Sequence, residues 1–380
     1  MKNISKNIFL VIPEISFFLS HRISLIRGLI NRGWNFTVIT SSDQNPIPID
    51  GIEYLIIDTH RKRFSLLNVL KNSFFLMRLI HIKKPLLIYS VSHRSIFLAR
   101  IANFFKNTKS IYAISGMGSA FSGDSRVSKI FNKEQIIKIL ILLIYRYIIK
   151  SKHSNFLLQN EADKNFLTSS KISKPSNCFL ISGNGIDEEF FSDKPVNNDL
   201  CHFIMISRLL RDKGVIEFLK AASIVSKTHK NCKFTLYGDI DNANFKSLNY
   251  ANIKPFLSNK IHYAGYKKDI KECIKNGSIL VLPSYREGFS KVLMEAQSCS
   301  RAVITSNVRG CKDVIIEDIT GKLVPPKDVQ ALSDAMEFFI QDKKKIQIMG
   351  SNAFKHARKN FTVEIAVQKH LEMFNKILSS

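Results

Sequence analysis

The stretch Cys201-His-Phe-Ile-Met-Ile206-Ser207-Arg208-Leu-Leu-Arg211-Asp212-Lys213-Gly214-Val-Ile-Glu-Phe-Leu-Lys-Ala-Ala reads as a buried strand, a basic loop and the start of a helix running to Lys227. The unit repeats outward from there. Downstream, strands are expected at Lys233–Tyr237, Ile279–Leu282 and Ala302–Thr305, with helices over Glu287–Ser298 and Gln330–Gln341. Upstream, apolar runs at Ile8–Ile12, Asn35–Thr40, Tyr54–Ile57, Leu86–Ser90, Ser110–Ile114 and Asn155–Gln159 alternate with helical patterns. The first of these patterns, Arg22–Arg32, is ended by Gly33. Strands alternating with helices argue for parallel, doubly wound α/β sheets. The alternation breaks at Asp187–Leu200, where Asp, Glu, Ser, Lys, Pro and Asn replace the apolar runs; this is the expected interdomain linker. Three pieces follow: a domain over residues 1–190, a second over 191–360, and a terminal helix over 361–380 packing back toward the first. Two such domains leave a cleft, where folds of this kind bind ligands.

With 380 residues, 45% hydrophobic and 23% charged, the chain has the composition of a globular protein and not of a disordered one. Its net charge of +25 is unevenly spread. Residues 51–150 hold 17 Lys/Arg against 4 Asp/Glu, a concentration that favours nucleic acid, anionic membrane or phosphorylated substrates over a plain solvated surface. Six scattered cysteines form no Cys-x-x-Cys pair, and Ile8–Ile12 is too short for a secretory apolar core, which fits a reducing cytoplasm. The longest apolar segment, Ile136–Ile149, is interrupted by Lys138 and Arg146 and is too short to span a bilayer. Its flanking lysines suit a helix lying in a membrane interface, and a core helix of an α/β domain is the alternative. Leu66–Lys84 repeats the theme, with Phe74, Phe75, Leu76 and Leu79 beside Lys71, Arg78, Lys83 and Lys84.

Chemistry concentrates in two segments. In the first, Ser207 to Gly214, helix-start N–H groups, a glycine, Arg208 and Lys213 form a natural site for a diphosphate, Arg as a planar fork and Lys as a point charge. The second is Pro283-Ser284-Tyr285-Arg286-Glu287-Gly288-Phe289-Ser290-Lys291-Val292-Leu293-Met294-Glu295-Ala296. It sets two glutamates eight residues apart, Glu287 in the strand-to-helix loop and Glu295 about two turns into the helix, and near-whole turns should keep both on a similar side. A carboxylate accepts two hydroxyl hydrogen bonds, so the pair suits a sugar and a ribose. A surface position for Glu295 is the plain alternative.

The pattern Ser-Arg-x-x-x-x-Lys-Gly followed by Pro-Ser-x-x-Glu-Gly-Phe with the Glu-x7-Glu spacing resembles the retaining glycosyltransferase family 4, of GT-B architecture. The resemblance extends to Gly183-Asn184-Gly185-Ile186-Asp187, His262-Tyr-Ala-Gly265 with Asp269, and Asn307-Val-Arg-Gly310-Cys-Lys-Asp313. It implies two doubly wound Rossmann-like domains facing across a cleft, the first binding acceptor and meeting the membrane, the second binding a nucleotide-sugar. It also implies Arg208 and Lys213 on the donor diphosphate and Glu287 on the donor sugar as the catalytic set. Glu295 would hold the ribose, and Ser207, Phe289, Ser290, Lys291 and Val292 would line the donor. Transfer would retain anomeric configuration without metal or other cofactor, because Arg208, Lys213 and the helix dipole could stabilise the departing nucleoside diphosphate.

Three departures qualify the match. Where relatives carry Ala-x-Gly-x-Pro-Val-Ile, this chain has Ser298-Cys299-Ser300-Arg301-Ala302-Val303-Ile304, so the loop is expected to be less tight. Ser290 follows Phe289 in place of proline or glycine. Ser115 stands in Ala113-Ile114-Ser115-Gly116-Met117-Gly118 where many members have His. A subgroup with a Gly-Leu-Gly-like motif and a Phe-x-x-His-Arg-like segment, compare Phe18-Leu-Ser20-His21-Arg22, acts on polyprenyl-diphosphate-linked sugars in surface polysaccharide or glycoprotein glycan assembly, as in capsule and O-antigen. The resemblance therefore implies transfer of a hexose or N-acetylhexosamine, with N-acetylgalactosamine transfer to an undecaprenyl-diphosphate sugar the nearest case, from a UDP-sugar. His21, Arg22, Arg94, Ser115 and Gly116 would bind acceptor, at the inner face of the cytoplasmic membrane. His21 as a plain cap or surface residue is an equal reading.

Three rivals stand beside this. A metal-dependent transferase would use Asp239-Ile-Asp241, but that pair lies in a variable loop of the resembled family. A basic nucleic-acid-binding protein is permitted by charge, yet no recognised motif supports it, and nucleic acid is not an expected partner. A nucleotide-sugar epimerase of similar architecture would need no acceptor.

Overall fold

The computed structural model describes residues 6–42, 44–57, 66–115, 144–194, 200–241, 244 and 246–380. The chain divides into two compact units, Met1–Asn184 with Val363–Ser380, and Gly185–Thr362.

The first unit is built on strands β1 (Asn7–Glu14), β2 (Asn35–Ser41), β3 (Ile52–Ile56), β4 (Leu87–Val91), β5 (Ser110–Ile114), β6 (Ser154–Leu158) and β7 (Cys178–Leu180). Their order is β3-β2-β1-β4-β5-β6-β7, and every neighbouring pair is parallel. Helices α1 (Ile15–His21), α2 (Ile23–Ile30), α3 (Leu66–Lys83), α4 (His93–Ala102) and α5 (Glu161–Ser169) connect them. The central strands β1, β4 and β5 are buried on both faces, as a sheet covered on both sides requires. Ile8, Leu10 and Ile12 enter one core with Tyr89, Trp34 and Phe374. Phe9 and Val11 enter the other with Leu76 and Ile80 of α3 and Leu98 of α4. The C-terminal helix Val363–Ser379 belongs to this unit and packs on α2. Its approach is close: a Cβ on Gly28 would sit 2.5 Å from Val367 Cγ2.

The expected helix over Arg22–Arg32 needs revision. Helical backbone already begins at Ile15, because Ile15 and Phe18 both reach the core, and His21 closes that first helix. Of the basic apolar segment Ile136–Ile149, residues 136–143 lie outside the described residues. The remainder is a π-helical turn, Ile144–Ile149, with Tyr145 and Ile149 buried and Arg146 exposed.

The second unit carries β8 (Cys201–Ile206), β9 (Cys232–Tyr237), β10 (Ile261–Gly265), β11 (Ile279–Leu282), β12 (Ala302–Ser306) and β13 (Gly321–Val324), ordered β10-β9-β8-β11-β12-β13 and parallel throughout. Helices α6 (Val215–Thr228), α7 (Tyr250–Ile253), α8 (Ile270–Lys275), α9 (Lys291–Ser298), α10 (Val329–Gln341) and α11 (Lys344–Asn360) complete it. Counted within the unit the order is 3-2-1-4-5-6, that of dinucleotide-binding sheets, whose ligands bind where the strand order reverses. Here the reversal falls between β8 and β11.

The segment lacking the family's glycine and proline is tied down, contrary to the expectation of a looser loop. Ser300 takes up the left-handed backbone at φ +58° that a glycine would adopt without strain. Arg301 is buried and hydrogen-bonds four carbonyls: Gly277 (2.7 Å), Cys299 (2.7 Å), Lys275 (2.9 Å) and Lys194 (3.2 Å). A single guanidinium thus fastens the end of α9, the end of α8 and the chain entering the unit.

Candidate donor and acceptor sites

Three loops meet at the carboxyl ends of β8, β11 and β12. The first runs from Ser207 to Gly214, the second from Pro283 to Ser290, and the third from Asn307 to Asp313. Backbone hydrogen bonds lace them: Tyr285 N–H to Asp212 O (2.9 Å), Glu287 N–H to Arg309 O (3.3 Å) and Ser290 N–H to Gly310 O (3.0 Å). Two glycines make this closeness possible. At Gly214, φ +75°, a Cβ would lie 2.2 Å from Pro283 O; at Gly310, φ +74°, it would lie 2.5 Å from Glu287 O.

The expected catalytic residues fall within this assembly. Lys213 Nζ lies 2.5 Å from Glu287 Oε1, which also accepts from Ser284 Oγ at 2.8 Å. Both charged side chains are largely shielded, so their attraction is not fully screened by water. Arg208 is exposed and pairs with Asp241 Oδ2 at 2.8 Å. The sequence pointed to Asp241 only as half of an Asp-x-Asp motif; its strand neighbour β9 places it beside β8, within reach of Arg208. Asp239 Oδ1 accepts from the N–H of Ile240 (2.8 Å), so both carboxylates of that motif have protein partners.

The helix expected from Glu287 begins instead at Lys291, with Ser290 as N-cap. Glu287 thus lies in the strand-to-helix loop, as expected, and Ser284 and Lys213 orient it in place of helical periodicity. Glu295, one turn into α9, is not a surface residue: it is 7% exposed and paired with Lys291 at 3.2 Å. Burial pushes its carboxyl above the usual carboxylate range, with Lys291 opposing. Ser207 donates its N–H to Tyr237 O, and Phe289 turns its ring edge-on to Phe361 in the core of the unit, 5.8 Å between centroids. Val292 packs on the same core and Ser290 is buried. Neither α6 nor α9 is capped by its own N-cap side chain. Beneath Glu287, the buried Cys311 thiol is pushed up to about 12 by burial and then by the Glu287 charge, so it packs rather than reacts.

In the first unit, the residues expected to bind acceptor sit at the carboxyl ends of adjacent strands. Arg22 follows β1 by way of α1, Arg94 lies on the first turn of α4 after β4, and Ser115 follows β5 and is exposed. Gly116 lies outside the described residues. Arg22 and Ser115 line one small cavity with Gln159, Gly183 and Asn184. His21 is exposed, stacks on Phe17 and hydrogen-bonds Ser20, and its carbonyl accepts from Asn184. Arg22 is 3% exposed and donates to Tyr89 Oη at 3.0 Å. Tyr89 meets His370 Nε2 at 3.0 Å, and His370 Nδ1 meets the Ala366 carbonyl at 2.7 Å. A carbonyl only accepts, so Nδ1 carries the proton, Tyr89 donates to Nε2, and Arg22 donates to Tyr89. Burial holds His370 down at about 3, which keeps the ring neutral in this relay. No sequence signal links Tyr89 to His370, 281 residues away.

Two family models match the chain: the glycosyl transferase 4-like model over residues 7–159, and glycosyl transferases group 1 over residues 186–356. Among curated relatives, the N,N'-diacetylbacillosaminyl-diphospho-undecaprenol alpha-1,3-N-acetylgalactosaminyltransferase of Campylobacter jejuni is 27% identical over 96% of this chain and 99% of that protein. The UDP-Gal:alpha-D-GlcNAc-diphosphoundecaprenol alpha-1,3-galactosyltransferase of Escherichia coli is 23% identical over 86% of this chain and 84% of that protein. Among solved structures, sucrose-phosphate synthase from Thermosynechococcus elongatus superposes with a TM-score of 0.79 at 16% identity, over 98% of this chain and 99% of that one. With both halves matched in chain order and the GT-B fold shared, the chain belongs to the glycosyltransferases, a glycosyltransferase 4-like domain followed by a group 1 domain.

Proposed function

We propose that the enzyme transfers a hexose or N-acetylhexosamine, with N-acetylgalactosamine foremost, from a UDP-sugar to a polyprenyl-diphosphate-linked saccharide, with retention and without a metal ion, at the inner face of the cytoplasmic membrane during surface polysaccharide or glycoprotein glycan assembly. The observation that carries this reading is the cluster of Arg208, Lys213 and Glu287 at the strand-order reversal of the second unit, beside the starts of α6 and α9. Helix N-termini and two cations suit a diphosphate. The named donor and undecaprenol acceptors of the two relatives supply the substrate classes.

In this reading the donor diphosphate takes Arg208 from Asp241 and shares Lys213 with Glu287. As the bond from the anomeric carbon to the diphosphate oxygen breaks, negative charge gathers on the departing UDP, and these fixed donors stabilise it without reorganising. Glu287, freed in part from Lys213, accepts hydroxyls of the transferred sugar, and Glu295 accepts those of the ribose. The acceptor meets the face carrying His21, Arg22, Arg94 and Ser115. A screen of UDP-sugars against a polyprenyl-diphosphate acceptor with mass-spectrometric readout, run with and without EDTA, tests the proposal. Added mass of one hexose or N-acetylhexosamine, at a rate unchanged by EDTA, is expected. Loss of turnover in EDTA overturns metal independence, and conversion of donor without acceptor overturns transfer.

Glu295 allows a test that separates stability from binding. A carboxyl raised by burial stabilises the fold fully below its unfolded value, and that contribution is lost as pH rises through the folded value. Glu295→Gln is therefore expected to raise Tm by about 2–4 °C near neutral pH and by little at about pH 4. Donor affinity should fall about tenfold or more through lost charged hydrogen bonds. Melts at both pH values and UDP titration check the two halves.

A further inference from the structure

Helix α3 presents to solvent a face that water alone does not favour. Leu67, Leu70, Phe74, Phe75 and Ile82 are 79%, 50%, 66%, 43% and 61% exposed. At 100° per residue they fall within one arc of about 140°. The same arc carries Lys71, Arg78 and His81, all exposed. The opposite face, Val69, Ser73, Leu76 and Ile80, is buried in the first unit. The helix is thus apolar on both sides, with cations set into the outer side.

Carboxylates are sparse along this stretch: residues 59–123 hold eleven Lys/Arg and no Asp or Glu, and Glu53 of β3 pairs with Lys83 at the end of α3, outside that arc. The connection after α4, the helix on which α3 packs, adds exposed Phe104 and Phe105 beside Lys106. Aromatic and aliphatic side chains interleaved with cations are the pattern of an interfacial helix, whose apolar groups enter the acyl boundary while its cations meet headgroups. A two-fold contact with a second copy fits less well, because an isologous interface along this face sets the cations of one copy, Lys71 and Arg78, against those of the other.

We infer that the outer face of α3 is a docking surface for an anionic phospholipid bilayer, inserting Leu67, Leu70, Phe74 and Phe75 with Lys71 and Arg78 at the headgroups. The surface deepens the lipid-linked acceptor reading by giving the enzyme its own hold on the membrane, independent of the acceptor. It lies on described residues of the first unit and includes none of the residues placed on donor or acceptor.

The test uses the full chain and sedimentation with phosphatidylcholine vesicles, with and without about a third phosphatidylglycerol. Expected is binding to the anionic vesicles, weakened by salt, and a loss of at least about tenfold in partitioning for the double variant Leu67→Ser/Phe74→Ser. Lys71→Gln/Arg78→Gln should erase the preference for anionic vesicles. In Phe74→Trp, emission should shift to the blue when vesicles are added, a signal that does not depend on loss of function. UDP affinity and transfer to a short-chain, water-soluble acceptor should be unchanged in Leu67→Ser/Phe74→Ser, so a failed donor reading and a failed membrane reading give different results. Equal vesicle binding by wild type and the double variant overturns the inference. So does a wild-type dimer in sedimentation velocity that the double variant abolishes without any vesicle binding, which assigns the face to a second copy.

Discussion

Lys213→Ala is expected to lower kcat by about 10²–10³, the loss associated with removing one preorganised donor from a site of developing negative charge. The reasoning starts from position. Lys213 precedes Gly214 at the start of α6, and the glycine's close approach to Pro283 holds that helix start against the Glu287 loop. Its ammonium is largely shielded and already lies 2.5 Å from a carboxylate, so the fold provides a site for a charge pair that a diphosphate oxygen can join. Removing the cation strips the leaving group of a partner and leaves Glu287 with Ser284 and no Lys213. Both changes oppose transfer. Stability should fall with the fold intact, because a largely shielded Glu287 loses its cation and keeps the Ser284 hydroxyl as donor; a Tm lower than wild type by about 3–8 °C is expected. Initial rates of UDP release, together with thermal melts, check the result. Turnover within a few-fold of wild type, with normal folding, removes Lys213 from the catalytic set.

The second large effect concerns stability. Arg301→Met keeps much of the side chain's apolar stem but deletes donors to four carbonyls, and is expected to destabilise the protein by about 3–5 kcal/mol. Burial pulls the guanidinium below its ordinary value, yet an arginine starts so high that it stays charged at any working pH. Its loss leaves the carbonyls of Gly277 and Cys299 buried without their short bonds and releases the strained turn at Ser300. Denaturant titration of variant and wild type measures the difference. A loss below about 1 kcal/mol shows that water replaces the guanidinium, and removes its role as the fastening that stands in for the family's glycine and proline.

The α/β class, most strand positions and the donor cluster were legible because each rests on local order. A short apolar run reads as a strand wherever it is buried, and Cys201–Ile206, Ser110–Ile114 and Ile279–Leu282 end where the residues change character. The shared position of Arg208, Lys213 and Glu287 was legible because strand-to-loop positions in a parallel sheet lie along one edge, whereas the roles proposed for them rest on the family resemblance. Two readings failed for a physical reason. Periodicity extended α9 backward to Glu287, but Gly288 and the backbone bonds to Arg309 and Gly310 hold that segment as a loop. The segment around Ser300 looked loose because a missing glycine is visible in a sequence and an arginine's four acceptors are not.

What the sequence by itself determined is the succession of strands and helices, the basic and acidic residues at their junctions, and the excess of positive charge in the first unit. Tertiary structure decided which of these meet. It paired Arg208 with Asp241 across neighbouring strands, buried Arg22 on a relay through Tyr89 to His370, and gathered Lys275, Gly277 and Lys194 around Arg301. It also turned the apolar face of α3 outward. Composition and spacing run along one dimension, whereas a carboxylate's partner, a guanidinium's acceptors and the exposed side of a helix apolar all round are set by neighbours distant in the chain.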